Sequence, residues 1–515
     1  MQQPTDEGGG FVWLVGAGPG HPGLITLRAV ECLRLADVVL YDRLVNPRLL
    51  EHAPAAARRV CVEELPGTSQ PDRWPYIHAL LIAEARQGRR VVRLKGGDPM
   101  VFGRAGEEAV ALREAGIAYE IVPGVTAAAA ASACAAVPLT HRDHSSAVAL
   151  VTGHEQPGKP SSRLDWEALA RFPGTLVFYM GVSRVAPIVQ ALTAHGLAGD
   201  TPAAVVERAS TPAQRTVTAT LAALPAVVER EGVRAPALLL IGPVVTLRDS
   251  IAWFERRPLF GKTVLVTRPR HQAADMVRQI EELGGAAVVL PTVEVLDPPD
   301  WSAVDGALAR LATFHWLVFT SVNGVDTFVR RLRQTGRDLR ALGGVKLAAI
   351  GPATAEALRR YHLDPDLVPP VYNSEGLAAA LAERVGGQRV LLARADRGLE
   401  VLRVELSQVA DVEQVAVYHQ RDVDLDPDDE TLARVIRGEI EYVTLTSSNI
   451  ARSLLAALGP AGHEAIRQGR VKLVTISPTT SGAVRAMGLP VAAETDVYTT
   501  AGVVQALCRL VASGG

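Results

Sequence analysis

Short apolar runs alternate with helix-like segments along the whole chain, and this pattern predicts an α/β protein. The first runs are Phe11 to Gly16, Val38 to Asp42 and Val91 to Lys95, and each ends at, or is followed directly by, glycine or a carboxylate. Continuous apolar runs of this length are typical of parallel strands that are buried on both faces. Further runs continue the pattern: VALVTG, TLVFYM, AAVVER, ALLLIG, TVLVTRP, WLVF, KLAAI, EYVTL and VKLVTI.

Two local motifs occur twice in the second half of the chain. A strand followed by a hydroxyl pair and a helix appears at WLVFTSVNGV and EYVTLTSSNI, and a strand followed by Gly-Pro or Ser-Pro and a helix appears at KLAAIGPATAEAL and VKLVTISPTTSGAV. This repetition over about 125 residues predicts two similar lobes. Hydroxyl and amide groups at helix N-termini can bind anions, although Ser and Thr there are also ordinary caps. Before this half, residues 245–262 predict an amphipathic helix followed by a Pro/Gly break.

Composition excludes several classes of function. The 53 basic and 55 acidic residues give a net charge of −2, which argues against a nucleic-acid-binding surface. The 4 cysteines have no CxxC spacing, so neither a disulfide framework nor a metal site is expected. The beginning of the sequence does not have a signal-peptide pattern, and no apolar run is long enough to span a membrane. We therefore expect a cytoplasmic protein, with residues 1–10 disordered.

The stretch from Val91 to Arg104 contains the clearest candidate for a binding turn. A diglycine at the end of a strand lets the backbone approach a ligand, and Asp98 at this edge of the sheet can accept hydrogen bonds from hydroxyl or amine groups. A turn closed for backbone reasons alone is the alternative. The glycine-rich turn that begins at Gly16 lacks both the G-x-G-x-x-G spacing and the P-loop lysine, so a phosphate ligand is not indicated.

Seven motifs in the first half, taken in order, resemble the tetrapyrrole methylase family and most of all its uroporphyrinogen-III C-methyltransferase branch. They are GAGPGHPGLITLRA, VVLYDRLV, VVRLKGGDPMVFGR, VPGVTAAAAAS, PLTHRD, LVTGH and LVFYMGV. The resemblance covers residues 11–255 and implies two α/β lobes, at about 11–118 and 119–255, with S-adenosylmethionine bound between them. It implies the transfer of two methyl groups to uroporphyrinogen III, giving precorrin-2, and a homodimer formed through this half.

The resemblance also implies roles for particular residues. Cofactor contacts fall on Pro19, Gly96, Gly97, Asp98, Val101, Thr126, Ala127, Met180 and Ala209. Asp42 matches the candidate proton acceptor of the family, and a carboxylate that caps a strand end is the alternative interpretation. Arg43, Arg104 and Arg142 are candidates for binding substrate carboxylates, with Arg93 as a further candidate.

One segment departs from the family pattern. Where the family usually carries a Gly-Lys-Arg run, with the lysine proposed as a proton donor, this chain has VEELPG at residues 62–67, and RWPYIH at residues 73–78 replaces the nearby Q-x-x-I-N pattern. Two carboxylates beside a polycarboxylate substrate are electrostatically adverse. This leaves open the alternative that only the second half is active and that the first is a degenerate binding or regulatory module.

From residue 263 onwards the chain resembles uroporphyrinogen-III synthase. The motifs are VLVTRP, FTSVNGV, AIGPATAEAL, NSEGL, VLLARADRG, VAVYHQ, TLTSSNI, ISPTTSGAV and VYTTAGVVQAL. The resemblance implies two lobes with flavodoxin-like parallel sheets, joined by a two-stranded tether and preceded by a linker at 256–262. We assign 263–295 plus 425–512 to lobe one and 300–418 to lobe two.

The reaction that this second resemblance implies is the cyclisation of hydroxymethylbilane to uroporphyrinogen III, with neither a metal nor an organic cofactor. Tyr418 matches the side chain most often proposed as an acid, and an aromatic residue packed in the tether is the alternative. Carboxylates or the leaving hydroxyl would be bound by Thr320, Ser321, Thr354, Arg394, Ser448, Thr479 and Thr480. The two resemblances together predict a bifunctional enzyme of tetrapyrrole biosynthesis, in either the sirohaem or the cobalamin branch.

Overall fold

The computed structural model describes residues 9–65, 73–154, 163–397, 400–426 and 428–514. Residues 1–8 of the expected disordered N-terminus lie outside this described part, as do Pro66 and Gly67 of the departing segment. The chain divides into a first unit of residues 1–261 with 283–286, and a second unit of residues 262–282 with 287–515.

The first unit begins with a parallel sheet of the order β3-β2-β4-β1-β5. Its strands are β1 (Phe11–Gly16), β2 (Val38–Tyr41), β3 (Arg58–Cys61), β4 (Arg90–Lys95) and β5 (Ala118–Val122), and its helices are α1 (Leu27–Arg34), α2 (Arg73–Arg86) and α3 (Ala105–Glu114). Alternate residues of β1 and β4 enter two separate apolar clusters, so both faces of the sheet are buried. Because β5 pairs with β1, this sheet extends to Val122, beyond the predicted lobe limit at residue 118.

The rest of the first unit forms a mixed sheet of the order β6-β7-β10-β8-β9. Its strands are β6 (Val148–Thr152), β7 (Thr175–Tyr179), β8 (Pro202–Glu207), β9 (Arg215–Thr220) and β10 (Ala237–Ile241), and its helices are α4 (Ala127–Ala135), α5 (Trp166–Ala170), α6 (Val185–Ala194), α7 (Leu224–Arg230) and α8 (Arg248–Ile251). Only β6 and β7 pair in parallel.

The amphipathic helix that we predicted within residues 245–262 is wrong in its extent. The segment contains only the 4-residue helix α8, between 3₁₀ turns at Pro243–Leu247 and Phe254–Arg256. Tertiary contacts with α4 explain the irregular path, because the Trp253 indole donates to the carbonyl of Ala133 at 2.9 Å and the Arg248 guanidinium donates to the carbonyl of Ala135.

The second unit contains two further sheets. Its strands are β11 (Thr263–Val266), β12 (Ala286–Val289), β13 (Val293–Leu296), β14 (Trp316–Phe319), β15 (Lys346–Ala349), β16 (Arg389–Ala395), β17 (Asp411–Asp422), β18 (Tyr442–Leu445), β19 (Lys472–Thr475) and β20 (Ala493–Glu494). One sheet has the order β12-β11-β18-β19-β20, and the other has the order β15-β14-β16-β17-β13. The first order is the flavodoxin-like 2-1-3-4-5 arrangement, and the second begins in the same way, so the predicted fold class is confirmed.

Ten helices in the described part of the second unit cover these sheets. They are α9 (Arg270–Glu282), α10 (Ser302–Ala309), α11 (Val322–Gln334), α12 (Pro352–Arg359), α13 (Ser374–Ala382), α14 (Val401–Leu406), α15 (Glu430–Arg437), α16 (Ser448–Arg467), α17 (Pro478–Ala486) and α18 (Thr500–Ala512). Two apolar clusters lie on opposite faces of the β14–β16 sheet. The end of β17 pairs antiparallel with β13, and this ribbon is a two-stranded connection between the lobes.

The repeated motifs form equivalent local structures at different positions in the two lobes. Ser321, Ser447 and Ser477 all have extended backbones, with φ of −163°, −162° and −164°, and each caps the helix that follows it. However, β14 is the first of the four parallel strands of its sheet along the chain, whereas β18 is the third strand of its own sheet. The repetition therefore marks similar strand-to-helix turns rather than a duplication of a whole lobe.

Candidate functional site

Three glycines pack against one another where strands β1, β4 and β5 end. A Cβ atom added to Gly16 would lie 2.6 Å from the Cα of Gly124, and one added to Gly124 would lie 2.3 Å from the carbonyl oxygen of Gly97. A Cβ on Gly96, in contrast, would have its nearest neighbour at 3.8 Å, and one on Gly97 at 3.7 Å. Gly16 and Gly124 are therefore required by backbone packing, whereas a Cβ on Gly96 or Gly97 would make ordinary van der Waals contacts, and the φ of 69° at Gly97 favours glycine there.

The carboxylate of Asp98 holds this turn together. It accepts hydrogen bonds from the amide of Met100 at 2.8 Å and from the amide of Gly124 at 3.0 Å. Asp98 thus connects the turn after β4 to the turn after β5. This agrees with the alternative interpretation, in which the turn is closed for backbone reasons. Its position beside Gly96 and Gly97 matches the sequence prediction, but its carboxylate already has two backbone partners.

Tyr179, at the end of β7, organises the start of α4. Its hydroxyl lies 2.7 Å from the Thr126 hydroxyl and accepts a hydrogen bond from the amide of Ala128 at 3.0 Å. An unpaired amide in the first turn of a helix needs such a partner. Sequence reasoning did not select Tyr179, although the LVFYMGV motif contains it.

Several predicted cofactor residues converge around Tyr179. Val101, Ala127 and Ala209 pack against the same apolar cluster as this tyrosine. Met180 follows Tyr179 directly and is 50% exposed. The loop after Pro19 reaches the same region, since a Cβ on Gly20 would lie 3.6 Å from the carbonyl oxygen of Ala209. The structure therefore brings the predicted residues of β1, β4, α4, β7 and β8 to one region of the first unit.

Strained backbone marks the same region. Five residues other than glycine have φ between 47° and 66° on the loops that carry Val101, Met180 and Ala209, namely Phe102, Arg104, Met180, Arg208 and Ser210. Such conformations cost about 1–3 kcal/mol each and persist where tertiary contacts enforce them, which is typical of ligand sites. The sequence carries no signal for this strain.

Asp42 lies beside the glycine turn. Its Oδ1 accepts a hydrogen bond from the Arg93 guanidinium at 2.5 Å, and its Oδ2 accepts one from the amide of Gly96 at 3.2 Å. Arg93 is fully buried, and its Nε donates to Glu108 at 3.1 Å. Burial opposes the charge on Arg93, but the carboxylates of Asp42 and Glu108 outweigh it and raise the Arg93 pKa above its usual value.

Lys95 completes this buried network. It is 2% exposed and donates to Glu108 Oε1 at 2.9 Å. Burial, together with the neighbouring Arg93 charge, lowers the pKa of Lys95. The network pairs two cations with two carboxylates, so its charges are balanced, and its geometry holds the Asp42 carboxylate in one orientation.

The departing segment does not add a free carboxylate next to Asp42. Glu63 Oε2 accepts a hydrogen bond from the amide of Arg43 at 2.9 Å and also contacts the Cys61 thiol at 3.6 Å. Glu64 is exposed. The Glu63 carboxylate therefore serves as a cap for the loop after β2.

The candidate arginines for substrate carboxylates have different surroundings. Arg43 and Arg142 are exposed at the surface of the first unit. Arg104 pairs with Glu107 at 2.5 Å and lies 4.0 Å above the Trp74 ring. Arg104 therefore already has partners, whereas Arg43 and Arg142 extend into solvent.

In the second unit, Tyr418 is 4% exposed and its hydroxyl lies 3.0 Å from the Ser321 hydroxyl. Burial raises its pKa, and hydrogen bonds from Ser321 and Asn323 offset part of that shift. Arg394 is 6% exposed and lies on β16 next to the point where Ala395 pairs with Tyr418. Tyr418, Ser321 and Arg394 of the predicted set thus lie together, and Asn323 is a residue of this site that sequence reasoning missed.

The other predicted hydroxyls are arranged differently. Thr354 and Thr480 are 3% and 2% exposed, and their role in contacting substrate stays a prediction. Ser448 donates to the carbonyl of Thr479 at 3.2 Å. The caps are Ser447 and Ser477, one to three residues before the predicted positions, because the capping residue precedes the helix. Thr320 directly precedes the capping residue Ser321 and is half-buried.

A cavity of about 660 Å³ opens beside Asn323 in the second lobe, between β13 and α11. Its lining includes two arginines, Arg330 and Arg333, and two aspartates, Asp297 and Asp326. Asp297 pairs with Arg330, and Asp326 pairs with Arg360 at 3.2 Å.

Within the described residues, every helix is too short or too polar to cross a lipid bilayer.

Comparisons with known proteins assign both halves. Residues 12–225 match the family described as Tetrapyrrole (Corrin/Porphyrin) Methylases, and residues 274–505 match the family described as Uroporphyrinogen-III synthase HemD. The Porphyrin biosynthesis protein HemD of Ruminiclostridium josui is 35% identical over 451 residues, which are 87% of this chain and 89% of that protein.

Two further comparisons involve relatives that are named for C-methyl transfer. The Uroporphyrinogen-III C-methyltransferase of Bacillus subtilis (strain 168) is 38% identical over 360 residues, which are 70% of this chain and 74% of that protein. A crystal structure of uroporphyrin-III C-methyl transferase from Thermus thermophilus, complexed with S-adenyl homocysteine, is 45% identical and covers 46% of this chain and 99% of that chain, with a TM-score of 0.39.

The fold and the family matches together define this chain as an α/β enzyme with two modules. The chain belongs to the tetrapyrrole methylase family in its first half and to the uroporphyrinogen-III synthase family in its second half. The predicted fusion of a C-methyltransferase with a uroporphyrinogen-III synthase is thereby confirmed.

Proposed function

We propose that the second half of this chain cyclises hydroxymethylbilane to uroporphyrinogen III and that the first half methylates this product twice, giving precorrin-2. The relative that covers 87% of the chain is named for porphyrin biosynthesis, and the one that covers 70% is named for C-methyl transfer to uroporphyrinogen III. Both reactions use small molecules, and no nucleic acid or membrane takes part. We further propose that the enzyme acts in the cytoplasm as a homodimer formed through its first half.

One observation carries the methyl-transfer proposal. The carboxylate of Asp42, the candidate proton acceptor, shares a hydrogen bond of 3.2 Å with the amide of Gly96. Gly96 and Gly97 form the turn beside which the cofactor would lie, and an added Cβ there would make only ordinary contacts. A proton acceptor beside such a turn suits a reaction in which one carbon of the substrate gains a methyl group and the substrate loses a proton from another position.

The residues around the turn fit S-adenosylmethionine, which supplies the methyl group of its sulfonium when it is bound. The backbone of Gly96 and Gly97 and the start of α4 at Thr126 and Ala127 would hold its polar groups, and Met180 and Val101 would border its apolar parts. This ligand carries no phosphate, which agrees with the absence of phosphate-binding spacing in the glycine turns.

Different residues of the first half would have different roles in methyl transfer. Arg93 pairs with Asp42 and orients its carboxylate, which would accept the proton that the substrate loses on methylation. Arg43 and Arg142 are exposed and would bind carboxylates of the tetrapyrrole. The alternative of a degenerate first half rested on Glu63 and Glu64, and the contact of Glu63 with the Arg43 amide weakens it.

In the second half, Tyr418 would donate a proton to the hydroxyl that leaves hydroxymethylbilane. Because burial raises its pKa, the phenol keeps its proton at neutral pH, and Ser321 and Asn323 fix the direction of its hydroxyl. Arg394 and the N-termini of the helices that follow Ser321, Ser447 and Ser477 would bind the substrate carboxylates. No cofactor is needed for this dehydration and ring closure.

Two variants of the full chain test both halves at once, and each serves as the control for the other. Asp42→Asn keeps the size of the side chain but removes the proton acceptor, so methyl transfer from labelled S-adenosylmethionine to uroporphyrinogen III should fall about 100-fold or more. Its synthase activity should equal that of the wild type.

Tyr418→Phe should show the opposite pattern, with slower cyclisation of hydroxymethylbilane and normal methyl transfer. If the wild-type chain methylates nothing while it cyclises hydroxymethylbilane, the first half is a degenerate module and the methyl-transfer proposal is wrong. If Asp42→Asn or Tyr418→Phe retains full activity in its own assay, the role given to that residue is wrong.

A further inference from the structure

Arg268 occupies a firmly held position at the end of β11. The preceding residue, Thr267, is fully buried, and its hydroxyl donates to the carbonyl of Thr444 at 2.7 Å. The Thr444 hydroxyl donates back to the carbonyl of Leu265 at 3.0 Å. These reciprocal hydrogen bonds hold the ends of β11 and β18 together. The backbone from which the Arg268 side chain extends is therefore rigid.

Within the part of the chain that the structure describes, the Arg268 guanidinium has no carboxylate at salt-bridge distance. Its Nη2 donates to the Gln272 side chain at 3.0 Å, and among the described residues no Asp or Glu oxygen lies within 4.0 Å of it. Arg268 is half-buried, and burial lowers its pKa, with only a partial offset from Asp275. Burying a charge without a counter-ion is costly, so such a site favours an anionic ligand.

A chain of polar side chains connects Arg268 with the candidate acid. Gln272, at the start of α9, donates through Nε2 to Asn323 Oδ1 at the start of α11. Asn323 in turn hydrogen-bonds the Tyr418 hydroxyl, which also contacts Ser321. The chain runs from β11 and α9 of one lobe to α11 and β17 of the other. The unbalanced cation therefore belongs to the same site as Tyr418.

We propose that Arg268 is a substrate-binding residue of the synthase half, which holds a carboxylate of the linear tetrapyrrole while Tyr418 acts on the leaving hydroxyl. This inference rests on the proposed cyclisation. A guanidinium can bind a carboxylate through two parallel hydrogen bonds, which fixes the orientation of the group as well as its position. Gln272 and Asn323 are then positioning residues, which couple the orientation of Arg268 to that of the phenol.

The test uses the full chain with Arg268→Gln and Arg268→Lys, assayed for hydroxymethylbilane consumption and for the fraction of inverted product. We expect Arg268→Gln to raise KM and to lower kcat/KM by roughly 10- to 100-fold, the loss typical of a charge-assisted hydrogen bond. Arg268→Lys should lose less, because it keeps the charge but not the paired donors. Raising the ionic strength should raise KM for the wild type more than for Arg268→Gln.

The matched control is Arg340→Gln in the same unit. Arg340 is exposed and pairs with Asp338 at 2.7 Å, so its removal should leave KM and its salt dependence unchanged. Methyl transfer by the first half gives a separate measure that each variant is produced and intact.

Each outcome decides between specific alternatives. An unchanged KM in Arg268→Gln overturns the inference while the proposed cyclisation stands. A lower kcat with unchanged KM and salt dependence also overturns it, because that result indicates a structural role for Arg268. If Arg268→Gln does not fold, the same decision rests on KM and salt dependence in Arg268→Lys. A wild-type chain that does not cyclise hydroxymethylbilane overturns the proposed function and the inference together.

Discussion

At the scale of single residues, the sequence indicated a candidate binding turn but not the part that each residue plays in it. The diglycine and Asp98 were visible because a strand ends there, and an added Cβ on Gly96 or Gly97 would make only ordinary contacts. The carboxylate of Asp98, however, is used by the amides of Met100 and Gly124. Such a choice depends on which backbone groups the fold brings within reach, and a local motif does not contain that information.

Residues whose importance depends only on tertiary contacts were not predicted from the sequence. Tyr179 matters because its hydroxyl meets the start of α4, which is distant in sequence. Arg268 matters because it lacks a carboxylate partner among the described residues, and the sequence cannot show which arginines are paired. The positive φ of Phe102 and Met180 likewise follows from packing.

His78 provides a prediction at this scale. Burial lowers its pKa below the usual histidine value, so the folded state binds a proton less readily than the unfolded chain. Stability should therefore decrease as pH falls below about 6.5, because the unfolded state takes up the proton first. His78→Gln should reduce the loss of thermal stability between pH 7 and pH 5.5, measured by calorimetry.

The control for this experiment is His195→Gln, which changes an exposed histidine of the same unit. It should leave the pH dependence of the wild type unchanged. Because burial also lowers the pKa of His52, some acid sensitivity should remain in His78→Gln. Identical pH profiles for wild type and His78→Gln would show that the His78 imidazole is not the source of the acid sensitivity.

At the scale of secondary-structure elements, apolar runs and glycine turns were sufficient to predict most strands and helices. They failed where side chains from elsewhere fix the backbone, as in residues 245–262, where contacts with α4 leave only the short helix α8. The limit between the lobes was also placed too early, because the pairing of β5 with β1 depends on the whole sheet.

The contact between β7 and α4 can be tested directly. Tyr179→Phe removes the hydroxyl that accepts the buried Ala128 amide and contacts Thr126, which should cost about 1–3 kcal/mol. Because α4 begins at the proposed cofactor site, the variant should also bind S-adenosylmethionine more weakly in isothermal titration calorimetry. Tyr76→Phe, which changes an exposed tyrosine on α2, should alter neither quantity. Wild-type affinity and stability in Tyr179→Phe would contradict this role.

At the scale of the whole molecule, the two halves were recognised by the order of their motifs. Sheet order could not be derived from the patterns alone, since apolar runs do not reveal which strands are neighbours. The structure supplies the orders β3-β2-β4-β1-β5 and β12-β11-β18-β19-β20, and the family matches at 12–225 and 274–505 assign each half. When two consecutive reactions are carried on one chain, the product of the first is released near the second active site, which raises its effective concentration there.

The most direct test of the whole account is a single reaction that contains the purified chain, hydroxymethylbilane and S-adenosylmethionine, analysed by mass spectrometry. We predict a cyclic tetrapyrrole that carries two added methyl groups, and we predict unmethylated uroporphyrinogen III when S-adenosylmethionine is omitted. A product that remains unmethylated in the complete reaction, or hydroxymethylbilane that is not cyclised faster than without protein, would contradict the claim that this chain performs both steps.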